Sequence, residues 1–165
     1  VAVAISGVTN IAGTVNAAAV CASLGGGTCS AEGRLQVIDR VIAATRQAGL
    51  TDDKIYVDPL VMTIATNIQA GRSTFETIRC IRKEYPSVHI SCGLSNISFG
   101  LPVRSLVNRT FLVLALEAGI DAAIIDPNDR ELKAAMLCAD LLLGKDKHCL
   151  AYTRAFRAGV LENKQ

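Results

Sequence analysis

The stretch Gly93-Leu94-Ser95-Asn96-Ile97-Ser98 gathers small polar side chains where an apolar run, Val88-His89-Ile90-Ser91-Cys92, ends. Asn and Ser offer donors and acceptors without charge, and the flanking Gly93 and Gly100 let another molecule approach the backbone closely. That combination suits ligand binding at the C-terminal edge of a strand. Other apolar runs finish in the same way, at Ser6, Asp58 and Asp126. An ionised Asp58 can accept two hydrogen bonds from neighbouring N–H groups. Asp58-Pro59 and Asp126-Pro127 are also turn-starting dipeptides, and on sequence alone a turn competes with a ligand at both.

Other candidates carry less chemistry. Gly25-Gly26-Gly27-Thr28 is rich enough in glycine to cradle a phosphate, but no Gly-Lys-Ser/Thr or GxGxxG pattern follows, so a loop is expected. Neither His89 nor His148 has a neighbouring arrangement in sequence that suggests a triad or a metal site. The six cysteines (Cys21, Cys29, Cys80, Cys92, Cys138, Cys149) form no CxxC pair or zinc spacing. Reduced, buried thiols of a cytosolic protein and no metal centre are expected.

These polar ends need elements to hold them. Residues 1–5 read as a buried strand, and residues 14–24 as a possible helix within an atypical Gly/Ala/Ser/Thr-rich segment, 7–31. Leu35, Ile38, Val41, Ile42 and Thr45 mark one face of a helix ending at Gly49. A strand over 54–57 stops at Asp58. Phe75, Ile78 and Ile81 predict a helix over 74–84, followed by a strand over 88–92. A helix over 103–118 is expected to turn Leu106, Val107, Phe111, Leu114 and Ala115 inward, with Gly119 closing it. A strand over 121–125, a helix over 129–143 and a last helix over 147–156, carrying Cys149, Tyr152 and Phe156, complete the chain. Strands alternating with helices at a spacing of roughly 30–35 residues predict βα units around a parallel sheet. Both a (β/α)₈ barrel and an open doubly wound sheet place ligands at strand C-termini, so the pattern leaves both open.

Composition narrows the classes. The 165 residues are 50% hydrophobic and 19% charged, enough for one substantial core. The net charge of +2, with Lys and Arg dispersed, points away from nucleic acid and toward small-molecule chemistry. No run reaches the roughly 18 apolar residues of a membrane span, and a cytoplasmic location is expected. The chain opens on an apolar strand without Met, as an excised piece of a larger domain would.

Four stretches carry a resemblance. They are Ile55-Tyr56-Val57-Asp58-Pro59-Leu60-Val61; Cys92 through Pro102; Asn108-Arg109-Thr110-Phe111; and Ala118-Gly119-Ile120-Asp121-Ala122-Ala123-Ile124-Ile125. In order and spacing, over residues 32–161, they resemble the pterin-binding methyltetrahydrofolate:corrinoid methyltransferases, related to the folate domain of cobalamin-dependent methionine synthase. The resemblance implies a pterin-binding TIM-like (β/α)₈ barrel, of which this chain supplies the C-terminal half, about four βα units. It implies methyl transfer between N5 of methyltetrahydrofolate and the cobalt of a corrinoid protein, with the direction left open. It further implies tetrahydrofolate or methyltetrahydrofolate as the substrate, a corrinoid (cobalamin) carried by a partner protein, and a homodimeric complete enzyme of anaerobic one-carbon metabolism.

By the same resemblance, Asp58 matches the aspartate that holds the amino-pyrimidine edge of the pterin. Asn96 matches the asparagine near N5, where an uncharged carboxamide can follow a proton onto the leaving nitrogen. Gly93, Ser95 and Ser98 belong to the same substrate-binding cluster. Arg104 matches a position near the outer folate, where it would meet the acidic tail or help the partner dock. Ile124 matches an apolar wall that core packing explains equally well. Asn108 and Arg109 are expected to hold the loop that presents Asn96. The 7–31 segment and Met62-Thr63 depart from the family pattern. Dihydropteroate synthase shares the pterin barrel, but its Lys and Ser-Arg phosphate motifs are not evident. The other alternative is a truncated, non-catalytic barrel fragment.

Overall fold

A computed structural model describes residues 30–161, together with two short strands at 2–4 and 14–15. Ser6, Cys21, Cys29, the glycine-rich 25–28 stretch and most of the expected 14–24 helix lie outside the described residues.

In chain order the elements are β1 (Ala2–Ala4), β2 (Thr14–Val15), α1 (Ala31–Gln47), β3 (Tyr56–Val57), α2 (Ala70–Glu84), β4 (His89–Gly93), α3 (Arg104–Ala118), β5 (Ala122–Ile124), α4 (Arg130–Leu142) and α5 (Leu150–Arg157). Single 3₁₀ turns occupy Asp52–Lys54, Leu94–Ser98 and Lys147–Cys149.

The sheet order is β1-β5-β4-β3-β2. From β2 to β5 the strands are parallel and lie in sequence order, with Val57 opposite Ile90 and Gly93 opposite Ile124. Along the same path α1 packs on α2, α2 on α3 and α3 on α4. Neighbouring βα units thus follow one another without the reversal of strand order that marks a doubly wound sheet.

Two strand expectations change. β1 runs antiparallel to β5, with Ala2 opposite Ile124, and so joins the sheet on the far side from β2. Apolar composition marked it as a strand but carries no information on direction. Thr14 and Val15, expected to be helical, pair with Tyr56 and Val57 instead, since a short β-branched pair suits a strand.

The helices form where their caps and apolar spacing dictate. The Ser30 hydroxyl accepts the Gly33 N–H at 3.2 Å and starts α1; Asp129 accepts the Leu132 N–H at 2.9 Å and starts α4. α3 ends on Gly119, whose φ of 114° an L side chain rarely adopts. Helix α2 begins four residues before the expected 74, at Ala70 after an Asn67 side-chain turn.

Helix α3 turns differently from its predicted face. Phe111 and Ala115 are buried and Val107 partly so, as expected, but Leu112, Leu116 and Ala118 are buried as well, while Leu106 and Leu114 are exposed. A helix this rich in Leu and Val offers more than one apolar stripe, and packing against α2, α4 and the sheet selects one. The last helix also departs from expectation: positive φ at His148 and Cys149 breaks it from the preceding turn, Cys149 and Phe156 are exposed, and α5 buries no residue. Of the described cysteines only Cys92 is buried, Cys80 and Cys138 being partly so, which corrects the expectation of uniformly buried thiols.

The core lies between the sheet and its helices, built on Ile38, Ile42, Val57, Ile78, Ile81, Ile90, Leu112 and Ile120. Along β4 burial alternates. Ile90 and Cys92 are sealed beneath helices, whereas His89, Ser91 and Gly93 are partly open. One face of this strand is therefore covered and the other is not.

Candidate functional site

The parallel β3, β4 and β5 place their C-terminal ends side by side, and the predicted site residues sit there. Asp58 follows β3, and strand alternation puts it on the face of Tyr56, which stacks on His89 across the strand pair at 4.6 Å. That is the less covered face of β4. Asp58 is partly buried. Its Oδ1 accepts the Leu60 N–H at 2.8 Å, closing a turn around Pro59 that leaves Leu60 at a φ of 63°. A left-handed leucine is strained, of order 1–2 kcal/mol. Leu60 packs on Val37 and Val41 of α1, which holds the turn in place. The turn and ligand readings of Asp58 are therefore compatible, because one carboxylate oxygen forms the turn and, among the described residues, the other accepts no hydrogen bond.

Burial pushes the Asp58 carboxyl above the usual carboxylate range, while the Leu60 N–H and the charge of Arg34 pull it partly back. Burial and the nearby Asp58 carboxylate push the Cys92 thiol well up, so Cys92 stays neutral beside it.

Asn96 lies in the 3₁₀ turn directly after β4 and is exposed. Gly93 makes room for it: a Cβ there would come within 3.3 Å of Asn96 Nδ2. The turn is fixed from several sides. Ser98, fully buried, lies 2.7 Å from Asn108 Oδ1 on α3 and 3.2 Å from the Ser95 carbonyl. Arg104 donates to Ser98 Oγ at 3.1 Å and to the Ser95 carbonyl at 2.9 Å, and its guanidinium lies over the Phe99 ring. The connector after β3 joins in, with Ile64 N–H donating to the Ile97 carbonyl at 3.1 Å and Thr63 Oγ1 to the Phe99 carbonyl at 2.6 Å.

Gly93 and Ser98 shape the turn, and Arg104 braces it. Asn108 supports the turn as expected, whereas Arg109 ties α3 to α4 through Glu131 at 2.8 Å. Ser95 and Ile124 meet on a cavity of about 280 Å³ that Asn108, Asp126 and Asp129 also line. Asp58 and Asn96 do not line that cavity. Ile124 is 52% exposed, so packing in the core does not account for it. Asp126 accepts the Asn128 N–H at 2.9 Å, the turn its Asp-Pro sequence predicted.

Two features were not foreseen. His89 does have a carboxylate neighbour: its Nδ1 lies 2.9 Å from Asp121 Oδ2, and Arg82 pairs with the same oxygen at 3.1 Å. Their separation in sequence hid the cluster. It sits at the N-terminal ends of β4 and β5, away from the polar strand ends, and ties those strands to α2. The second is Arg34, 1% exposed, which donates to the Pro59 carbonyl at 3.3 Å and to Thr74 Oγ1 at 3.4 Å. Its signal was a charged residue one turn before Ile38 on the apolar face of α1. Among the described residues no group of three or more His, Cys, Asp or Glu is placed to hold a metal, and no helix is long and apolar enough to cross a membrane.

Comparison with known proteins bears on this geometry. Residues 30–126 match the family described as pterin binding enzyme. That span includes every predicted site residue. The chain is 38% identical over 130 residues to the methylcorrinoid:tetrahydrofolate methyltransferase of Eubacterium limosum, covering 79% of this chain and 48% of that protein. It is 38% identical over 103 residues to the methionine synthase of Mycobacterium tuberculosis and 39% identical over 101 residues to that of Mycobacterium leprae. Those matches cover 58% and 57% of this chain but only 9% and 8% of the synthases. The chain thus spans about half the length of the first relative.

Proposed function

The chain belongs to the pterin-binding enzymes, and from that premise we propose that it is the C-terminal half of a (β/α)₈ barrel. In this reading the barrel transfers a methyl group between N5 of methyltetrahydrofolate and the cobalt of a corrinoid carried by a partner protein. The observation that carries the reading is the pair Asp58 and Asn96, presented on adjacent parallel strand ends within the span that matches the family. Sequential parallel strands with neighbouring helices packed in the same order favour a barrel over a doubly wound sheet.

Asp58 holds the ring. One of its oxygens is engaged by Leu60, and the second accepts from the amino-pyrimidine edge, a charge-assisted bond that fixes orientation. Asn96 works at N5. As the C–N bond breaks its electron pair stays on N5, a poor leaving group until protonated. The carboxamide N–H donates to that pair, and once a proton from solvent reaches N5 the carboxamide oxygen accepts from the new N–H, which gives its proton back to solvent when the methyl moves the other way. The Gly93 backbone leaves the carboxamide free to turn, and Ser98, Asn108 and Arg104 hold the turn that carries it. The corrinoid, on its partner, supplies the cobalt that gives or takes the methyl group. Ser95 and Ile124 border the ring site, and Arg104, exposed at its edge, meets the folate tail or the docking partner. The reading carries with it a cytoplasmic setting, a transient corrinoid-protein complex and a homodimeric complete enzyme, with no role for nucleic acid or membrane.

The test is a methyl-transfer assay on the full-length protein with methyltetrahydrofolate and a free reduced corrinoid, followed by corrinoid absorbance. Turnover that depends on the protein is expected. Absence of both turnover and folate binding would refute the reading.

A further inference from the structure

Arg34 is the largest fully buried side chain that the proposed chemistry does not yet use. A guanidinium taken out of water is costly unless oxygens and a counter-charge surround it. Arg34 reaches from α1 to the Pro59 carbonyl at 3.3 Å and to Thr74 Oγ1 on α2 at 3.4 Å. Thr74 in turn donates to the Ala70 carbonyl at 2.9 Å, which anchors it to its own helix. Pro59 is the residue after Asp58 and before the left-handed Leu60, whose side chain rests on Val37 and Val41 of the same helix. Helix α1 therefore grips the Asp58 turn twice, by an apolar contact at Leu60 and by a charged donor at Pro59.

We propose that Arg34 is a positioning residue for the pterin-binding carboxylate, fixing the Asp58 turn through the Pro59 carbonyl and supplying the positive charge that Asp58 faces. This rests on the pterin reading of Asp58. Among the described residues the ionisable groups near Asp58 are Arg34 from α1 and the Cys92 thiol from β4. Cys92 is held neutral, so Arg34 provides the charge. Burial favours the protonated, donor-bearing carboxyl, which repels the N–H groups of an amino-pyrimidine. Arg34 opposes burial from behind the turn, where it does not compete with the ligand.

Binding that requires ionised Asp58 is lost as pH falls through its pKa. Without the Arg34 charge that pKa rises, so the acid limit of binding moves to higher pH. The experiment is calorimetric titration of tetrahydrofolate into the full-length protein between pH 4.5 and 8, for wild type, Arg34→Gln and Arg34→Lys. Gln keeps a donor but no charge, and Lys keeps the charge but not the planar fork. Arg34→Gln is expected to move the midpoint of the acid limb to higher pH. Arg34→Lys should weaken binding roughly three- to tenfold with the midpoint unmoved. A folded Arg34→Gln with a wild-type midpoint overturns the proposal, because a merely structural role lowers affinity equally at every pH. If Arg34→Gln does not fold, Arg34→Met, which also removes the charge, takes its place under the same rule: a midpoint moved to higher pH supports the proposal, and a wild-type midpoint with weakened binding overturns it. Wild-type protein that binds no tetrahydrofolate at any pH defeats the pterin reading itself, and this inference with it.

Discussion

Asp58 is a carboxylate held against its own solvation. Burial raises its pKa above the usual range, so the ionised form at neutral pH destabilises the folded state. The sign is the reverse of a salt-bridged aspartate: stability is lost as pH rises through the unfolded value, and the penalty is fully present above the folded one. Asp58→Asn keeps the acceptor for Leu60 and removes the charge. The variant is expected to melt higher than wild type at pH 7 and to lose that advantage as pH falls through the raised pKa of Asp58 and wild-type Asp58 becomes protonated. Its affinity for tetrahydrofolate should fall by about ten- to a hundredfold, the worth of a hydrogen bond to a charged group. Thermal melts against pH and a binding titration check the two halves, and a lower melting temperature at pH 7 would contradict the assignment of burial as the dominant influence.

At the scale of elements, the turn after β4 is a small machine for holding one carboxamide. Ser98 joins it to Asn108 and Arg104, so Ser98→Ala leaves a carboxamide oxygen and a guanidinium N–H short of a partner. A loss of about 1–3 kcal/mol in urea unfolding is expected, and wild-type stability would show that the hydroxyl is dispensable. Much of this element was legible in sequence. An apolar run ending in Gly-Leu-Ser-Asn-Ile-Ser announces both a strand and a polar end, and the Asn108 support followed from the family pattern. What could not be read were contacts made across the chain: Arg34 on Pro59, Thr63 on Phe99, and His89 on Asp121, separated by 25, 36 and 32 positions. The inward face of α3 is only partly legible in sequence for a related reason. Leu106 and Leu114 are as apolar as Leu112 and Leu116, and only the neighbouring helices distinguish them.

For the molecule as a whole, parallel βα order was written in the alternation of strands and helices, while the direction of β1 was not. Leu142 at the end of α4 and Leu150 and Phe156 on α5 are large apolar side chains exposed among the described residues. Exposed apolar surface favours association. On the half-barrel reading, the 165-residue chain made alone should sediment as associated species, whereas the full-length protein should give one discrete species. A stable monomer of the isolated chain that binds methyltetrahydrofolate at micromolar concentration would contradict that expectation.

In the proposed methyl transfer, Asn96 assists the nitrogen from which, or to which, the methyl group moves. The most direct test is single-turnover methyl transfer by the full-length Asn96→Ala protein at saturating methyltetrahydrofolate, where binding no longer limits the rate. Loss of one such donor predicts a rate lower by more than about tenfold, with the folded state and folate affinity largely kept. A rate equal to that of the wild type would contradict the account.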